Sequence, residues 1–281
     1  MSRSNSLLGY ADDARLLIIN ADDLGMSYAI NDAIFRTLKA GLVRSTSLMV
    51  PWPAALNTLQ FLQQNPDIPF GVHLSVINDN PGYRWKPLLP TAQVPSLVDP
   101  TGYFHTLAHM SDFVTAARLD ELEQEFRAQI EVVLSAGLKP THLDWHCLHN
   151  GGRADILALT IALAKEYGLA VRVSARPLID QLQRDGLPTN DHDLMDSYAV
   201  DVSAKSATYA RMLHELPAGV TEWAVHPGLD NAEMRTIEPD SWQVRTTDFD
   251  FLMSPQAREV LDREGIILLD YKPFQKLWQE R

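Results

Sequence analysis

Only one cysteine occurs in 281 residues, so no intramolecular disulfide can form and the stapled secreted folds are excluded. Long hydrophobic runs are missing as well. No stretch approaches the ~18 apolar residues of a membrane-spanning helix, and the first fourteen residues lack the continuous apolar core of a signal peptide. Positive charge is in deficit: 24 Lys and Arg stand against 36 Asp and Glu, a net charge of −12. That balance argues against duplex nucleic acid as a partner, because neutralising phosphates takes clustered cations. No Gly-x-Gly-x-x-Gly follows the first apolar run, which removes the usual dinucleotide site. A soluble, cytoplasmic protein acting on a small molecule, with no nucleic acid and no membrane as partner, is the expectation. Homo-oligomerisation stays open.

What is present alternates short apolar runs with longer amphipathic segments, the pattern of a parallel sheet covered by helices. Leu16–Asn20 reads as a strand buried on both faces. A helix follows from Ser27 to Lys39, with Ser27 as N-cap and Gly41 to end it. Further strands are expected over 44–50, 70–75, 141–146, 170–173, 197–200, 220–225 and 266–269, with helices over 54–64, 119–136 and 155–167. Residues 76–110 show no sustained period and carry five prolines, and so long an irregular segment inside a domain is usually functional or flexible. The economical arrangement is a single (β/α) barrel of seven strand–helix units over residues 15–281, serving as the catalytic domain. Residues 1–14 are then a flexible extension.

Active sites of α/β barrels lie at the C-terminal ends of the strands. The first strand ends in Asp22-Asp23, two adjacent carboxylates that repel unless a cation or a proton relieves them; an Asx turn is the bland alternative. His73 lies inside an apolar strand, where a hydrogen-bonded core histidine is the common case. In Thr141–His146, a period of two puts His142, Asp144 and His146 on one face, a costly set for a dry core. His146 reaches the strand end, and Asp144 is placed to fix a histidine tautomer from behind. Glu222 and His226 share a parity on a later strand that stops at Pro227-Gly228. One Asp and two His from different strand ends suit a catalytic divalent ion, with a second Asp to take a proton and a histidine opposite to give one.

The blocks Asn20-Ala21-Asp22-Asp23-Leu24-Gly25, Gly71-Val72-His73-Leu74, Thr141-His142-Leu143-Asp144-Trp145-His146 and His226-Pro227-Gly228, with Arg245-Thr246-Thr247-Asp248 downstream, resemble the YdjC-like carbohydrate deacetylases. The resemblance spans residues 15–269. It implies a barrel related to those of the polysaccharide deacetylases and a metal-dependent enzyme that hydrolyses an N-acetyl group from an acetylated amino sugar or short oligosaccharide. By the same resemblance His73 and His146 bind one divalent ion, and one of Asp22 and Asp23 completes the set while the other serves as base. Asp23 is taken as ligand and Asp22 as base. His226 matches the general acid, and Arg245 would orient a carboxylate, the base being one candidate. His142 and Asp144 would support the ligands.

The chain departs from the family pattern at Leu24, Trp145 and Cys147-Leu148-His149-Asn150, all beside the implied metal. Trp85, Tyr83, Trp145 and Tyr103 offer flat faces for sugar rings. Two His and one Asp suit zinc better than magnesium, although the resemblance permits magnesium. The rival readings are a Cys147 nucleophile, a non-catalytic carbohydrate-binding barrel, and a metal-dependent amidohydrolase or phosphoesterase acting on another small substrate.

Overall fold

The structure is a computed structural model that describes residues 3–281. Eight parallel strands form its main sheet: β1 (Arg15–Leu24), β2 (Ser45–Leu48), β3 (Phe70–Leu74), β4 (His142–Trp145), β5 (Ala170–Val171), β6 (Met195–Asp196), β7 (Gly219–Val225) and β8 (Ile267–Leu269). Seven of them run in the order β5-β4-β3-β2-β1-β7-β6, and β8 pairs with the start of β1, Leu16 opposite Ile267. The central strand β1 is buried from Leu16 to Leu24, as a run covered on both faces requires. It outlasts its expected end at Asn20, so both aspartates lie inside the strand. A register shift against β2 between Ala21 and Leu24 coincides with a positive φ of 69° at Asp23, so the irregularity re-aims that side chain.

The sheet curls rather than closes. Arg172, next to β5 at one end of the order, bonds Asp22 on β1 and Glu222 on β7, which brings distant strands around a common concave face. No ladder joins β5 to β6 among the described residues, so the expected closed seven-unit barrel is not formed by strand pairing. Each of these end strands has two residues and pairs on one side only, β5 with β4 and β6 with β7. Near this opening the backbone N–H of Val173 donates to the Asn190 side chain (3.3 Å). The strand expected over 197–200 is a 3₁₀ turn instead, started by Asp196, whose carboxylate accepts from the Tyr198 N–H. The pairing segment lies just upstream, at β6.

The helix Tyr28–Ala40 follows the expected capping: Ser27 Oγ accepts from the Ile30 N–H, and Gly41 closes it at φ 82°. The long helix Leu119–Ser135 carries two buried stripes. Leu122, Phe126, Ile130 and Val133 form the apolar one. Glu121, Glu125 and Gln129, at i, i+4 spacing, accept backbone N–H groups of Ser96, of Leu88 and Leu89, and of Ser75 respectively. The irregular stretch after β3 is therefore tied down by side chains, with a short parallel pairing of Ile77–Asn78 and His105–Thr106.

The N-terminal residues also depart from expectation. Arg3–Leu8 is a helix with Ser4 and Asn5 buried, and Ser4 Oγ donates to the Thr189 carbonyl (2.6 Å). The expected flexible extension is thus structured from Arg3 onward; Met1 and Ser2 lie outside the described residues. No helix among the described residues is long and apolar enough to cross a membrane.

Candidate active site

Alternation along the strands gives the concave face its chemistry. Asn20 and Asp22 of β1, Ser47 of β2, His73 of β3, His142 and Asp144 of β4 and Glu222 of β7 are all buried and share this face, as the bonds below show. Gly71 is part of the same design: a Cβ there would lie 2.5 Å from the His142 imidazole, so only glycine lets that ring fit.

Asp23 is the meeting point of three cationic or metal-ligating groups. His146 Nδ1 lies 3.2 Å and His73 Nε2 3.4 Å from its Oδ1, while Arg245 Nη2 donates to Oδ2 at 2.8 Å. His73 Nδ1–H donates to Asp144 Oδ1 at 2.9 Å, which fixes the tautomer and leaves Nε2 as a ligand atom, the usual role of a carboxylate behind a metal-binding histidine. One donor atom each from Asp23, His73 and His146 lies within 4.8 Å of the other two. Two further groups meet the same criterion among the described residues: Asp22–His73–Asp144 and Asp79–His146–Cys147. In the first, Asp22 and Asp144 already bind Arg172 and His73, so an ion would have to displace an arginine. The second wraps the outer side of His146, where Cys147 Sγ is 3.2 Å and Asp79 Oδ2 3.7 Å from Nε2.

Asp22 has a different environment. Arg172 grips it in bidentate fashion, both contacts 2.8 Å, and Asn20 Nδ2 donates to Oδ1 at 2.7 Å. Arg172 also reaches Asp144 (3.0 Å) and Glu222 (2.8 Å). Burial pushes the Asp22 carboxyl up, but the charge and hydrogen bonds of Arg172 prevail and hold it well below the usual range. Burial likewise opposes the charge on Asp23, and Arg245, His146 and His73 outweigh it. Against the loss of hydration, Asp144, Asp23 and Asp22 lift His73 to about 9. His146 is raised as well, by Cys147, Asp79 and Asp23 acting against burial. His142 goes the other way: burial, with the nearby Arg172 and His73 charges, drops it to about 3, so the ring is neutral. It stacks on Tyr271 at 3.7 Å.

Five buried carboxylates, Asp22, Asp23, Asp144, Glu222 and Glu238, share two arginines, Arg172 and Arg245. The rest of their charge is met in the metal-free protein by His73 and His146, both lifted by neighbouring carboxylates. A dication bound by those two rings would take the place of their protons and supply the same charge, so the donor set fits a divalent metal at Asp23, His73 and His146.

A cavity of about 540 Å³ opens above these residues, lined by Asp22, Asp23, His73, His146, His226 and Arg245 among others. Its left-handed non-glycine residues are Asp23 (φ 69°), Cys147 (φ 59°) and Asn150 (φ 49°), the full set among the described residues; backbone strain of this kind collects at functional sites. His226 is held on both sides. Ser197 Oγ contacts the ring at Nδ1 (2.8 Å), and the backbone N–H of His226 donates to Asp248 Oδ2 at 2.8 Å, which leaves Nε2 without a protein partner among the described residues at the cavity.

Several expected roles move. Arg245 orients Asp23, the expected ligand; the grip on Asp22 belongs to Arg172. His142 supports no ligand directly: its Nε2 is 4.0 Å from Asp144 Oδ2, beneath the site. Trp145 lines the cavity, its Nε1–H donating to Thr160 Oγ1 at 3.2 Å. Trp85, Tyr83 and Tyr103 do not line it. Trp85 is buried against Trp52 at 3.5 Å and backs onto His146 at 5.7 Å, because stacking two indoles removes more apolar surface from water than facing the cavity would. Tyr83 donates to the Met26 carbonyl (3.1 Å), and Tyr103 lies under the Arg84 and Lys86 cations at 5.1 and 4.7 Å. Sequence reasoning missed Arg172, Asp79, Ser197 and Glu238. A signal existed for Arg172, a lone cation closing the apolar run Leu169–Val171; Asp79, in the aperiodic segment, gave none.

Known proteins resemble this chain over most of its length. A carbohydrate deacetylase of Enterococcus faecalis is 30% identical over 91% of this chain and 97% of its own length. One from Thermoanaerobacter pseudethanolicus is 32% identical over 79% and 85%. A crystal structure from Enterococcus faecalis, of a protein proposed to cleave cellobiose phosphate, superposes with a TM-score of 0.80 at 29% identity, covering 92% of this chain and 98% of that one. The profile of the YdjC-like protein family matches residues 16–263, and the chain belongs to that family.

Proposed function

We propose that the protein is a metal-dependent hydrolase that removes the N-acetyl group from an acetylated amino sugar or short oligosaccharide. The observation that carries this reading is the Asp23–His73–His146 donor cluster on the floor of an open cavity. The carbohydrate deacetylases among its relatives supply the substrate class.

A divalent ion held by Asp23, His73 and His146 would act as a Lewis acid, making water nucleophilic near neutral pH and polarising the acetyl carbonyl. The donor set favours zinc or a similar transition ion over magnesium. Asp22, kept ionised by Arg172, is the proton acceptor beside the cluster. Arg245 and Glu238 fix the orientation of Asp23. His226, steadied through Nδ1 by Ser197, presents Nε2 to the departing amine and protonates it. Cys147, exposed with Sγ 3.2 Å from His146 Nε2, is the rival nucleophile, and Cys147→Ser leaving activity intact would dismiss it.

The test is acetate release from a panel of N-acetylated mono- and oligosaccharides, before chelation, after ethylenediaminetetraacetate, and after zinc is restored. Release that stops on chelation and returns with the metal is expected. Full turnover after complete removal of metal would refute metal dependence, and no acetate from any member would refute the deacetylase reading.

A further inference from the structure

His146 turns its two ring nitrogens to two different donor sets. Nδ1 faces Asp23 Oδ1 at 3.2 Å, within the cluster at the cavity floor. On the far side of the ring Nε2 has Cys147 Sγ at 3.2 Å and Asp79 Oδ2 at 3.7 Å. One donor atom each of Asp79, His146 and Cys147 lies within 4.8 Å of the other two. Nitrogen, oxygen and sulfur ligands of one tetrahedral zinc ion stand about 3.4–3.6 Å apart, given metal–ligand bonds of about 2.0–2.3 Å. Both spacings measured from Nε2 are therefore close to those of a bound ion. Asp79 Oδ1 is buried with no hydrogen-bond partner among the described residues, so this carboxylate is left short of a counterpart. Cys147 is exposed and lines the cavity together with Asp79, and an ion can reach the three groups from solvent.

We propose that Asp79, His146 and Cys147 form a second metal site, which takes a thiophilic divalent ion such as cadmium or surplus zinc and competes with Asp23 and His73 for the one imidazole. Thiolate with imidazole suits zinc and softer ions, whereas magnesium and calcium prefer oxygen ligands. Binding replaces the thiol proton: the S–H bond breaks, a sulfur–metal bond forms, and the proton leaves to solvent. The dication then meets a thiolate, a carboxylate and a neutral ring, which together balance its charge. A neutral imidazole has a single lone pair, with a proton on its other nitrogen. When Nε2 gives that pair to the outer ion, Nδ1 carries the proton and is lost to the inner cluster. Occupation of the outer site therefore withdraws a ligand from the floor, and excess metal inhibits. The thiolate comes from position 147, where the chain departs from the family pattern, so the site is a property of this chain. The site itself stands without the deacetylase reading; the inhibition rests on it.

The experiment titrates cadmium into chelated full-length protein and follows the ultraviolet thiolate-to-metal charge-transfer band. That band reads the outer site alone, because Cys147 is the one cysteine of the chain. A saturable band is expected, its midpoint moved at least about tenfold to higher cadmium in Asp79→Ala and in His146→Ala, both checked for fold by circular dichroism. Absence of the band would overturn the inference. A midpoint unmoved in either variant would do the same, since the ion would then sit on a lone thiol; should His146→Ala not fold, Asp79→Ala decides. In acetate release, kcat/KM at one equivalent of zinc is divided by its value in large excess, each protein serving as its own reference. The ratio should stand well above unity for the wild type and near unity for Cys147→Ser. A wild-type ratio of unity, or one equally high in Cys147→Ser, overturns the competition for His146. If no sugar releases acetate, the deacetylase reading has failed and the cadmium titration still decides the site.

Discussion

Replacing Arg172 by methionine removes the cation that joins β5 to the floor of the site. The guanidinium makes two 2.8 Å contacts to Asp22 and reaches Asp144 at 3.0 Å and Glu222 at 2.8 Å. Methionine fills similar volume and leaves Asp22 and Asp144 buried without their main counter-charge. Breaking a buried pair from one side costs about 3–5 kcal/mol. At about 2–4 °C per kcal/mol for a chain of this size, the melting temperature of metal-free protein falls by about 6–20 °C at neutral pH. The loss has a pH signature. In the wild type Asp22 is held below its ordinary 3.8, so its contribution is present above that value and is lost only in strong acid. Without Arg172, burial raises the same carboxyl above 3.8. The variant is then penalised at neutral pH and relieved as the carboxyls take up protons, so the gap closes between about pH 7 and pH 4. Arg172→Lys restores one point charge without the bidentate fork and falls between the two. Thermal melts of all three chelated proteins at pH 7.5 and 5.0 check this. A methionine variant that melts within about 2 °C of wild type at neutral pH, or a gap that does not narrow with acid, would refute the account of the buried charges.

Three further outcomes follow from the same contacts. Asp144→Asn weakens the hold on His73 Nδ1 and should reduce metal affinity about 10–100-fold, read by competition with a chromophoric chelator; unchanged affinity would show that Asp144 does not position the ligand. Because His73 is raised to about 9 in the absence of metal and His146 is raised as well, metal must displace protons, so affinity should climb by about one to two powers of ten per pH unit up to about pH 9. Without metal the sign reverses for stability: the His73–Asp144 pairing contributes fully below 6.5 and fades as pH rises through about 9. Glu125→Ala strands the N–H groups of Leu88 and Leu89 and the amide of Gln129, so a destabilisation of about 2–3 kcal/mol is expected in urea titrations, with faster proteolysis in the segment after β3.

How much of this was legible in the chain depends on the range of the interactions. Apolar runs and capping residues act locally, which is why the Ser27 cap, the Gly41 terminus and the main strands match their expected places. Period-two alternation put His142 and Asp144 on one face, because parity is a property of the strand alone, whereas His146 lies one residue past the end of β4. The partners of those side chains depend on how the sheet curls, which no local pattern encodes. Arg172 was therefore missed as the holder of Asp22, while Arg245 holds a carboxylate as expected, that of Asp23. Closure of the barrel was overestimated because a count of strand–helix units does not say whether the first and last strands in the order pair, and β5 and β6 do not. The aromatic residues of the irregular segment were assigned to sugar binding for their flatness, yet Trp85 gains more by stacking on Trp52. The carboxylates of helix Leu119–Ser135 gave no sign in the sequence that they anchor that segment, because their partners lie more than twenty residues away.

The central claim is that Asp23, His73 and His146 hold one divalent ion, and the most direct measurement is a zinc titration of chelated protein with and without those histidines. The account predicts one tight ion per wild-type chain, and no tight ion in a His73→Ala/His146→Ala variant that keeps its circular dichroism. A folded double variant that still binds one zinc with wild-type affinity would contradict it.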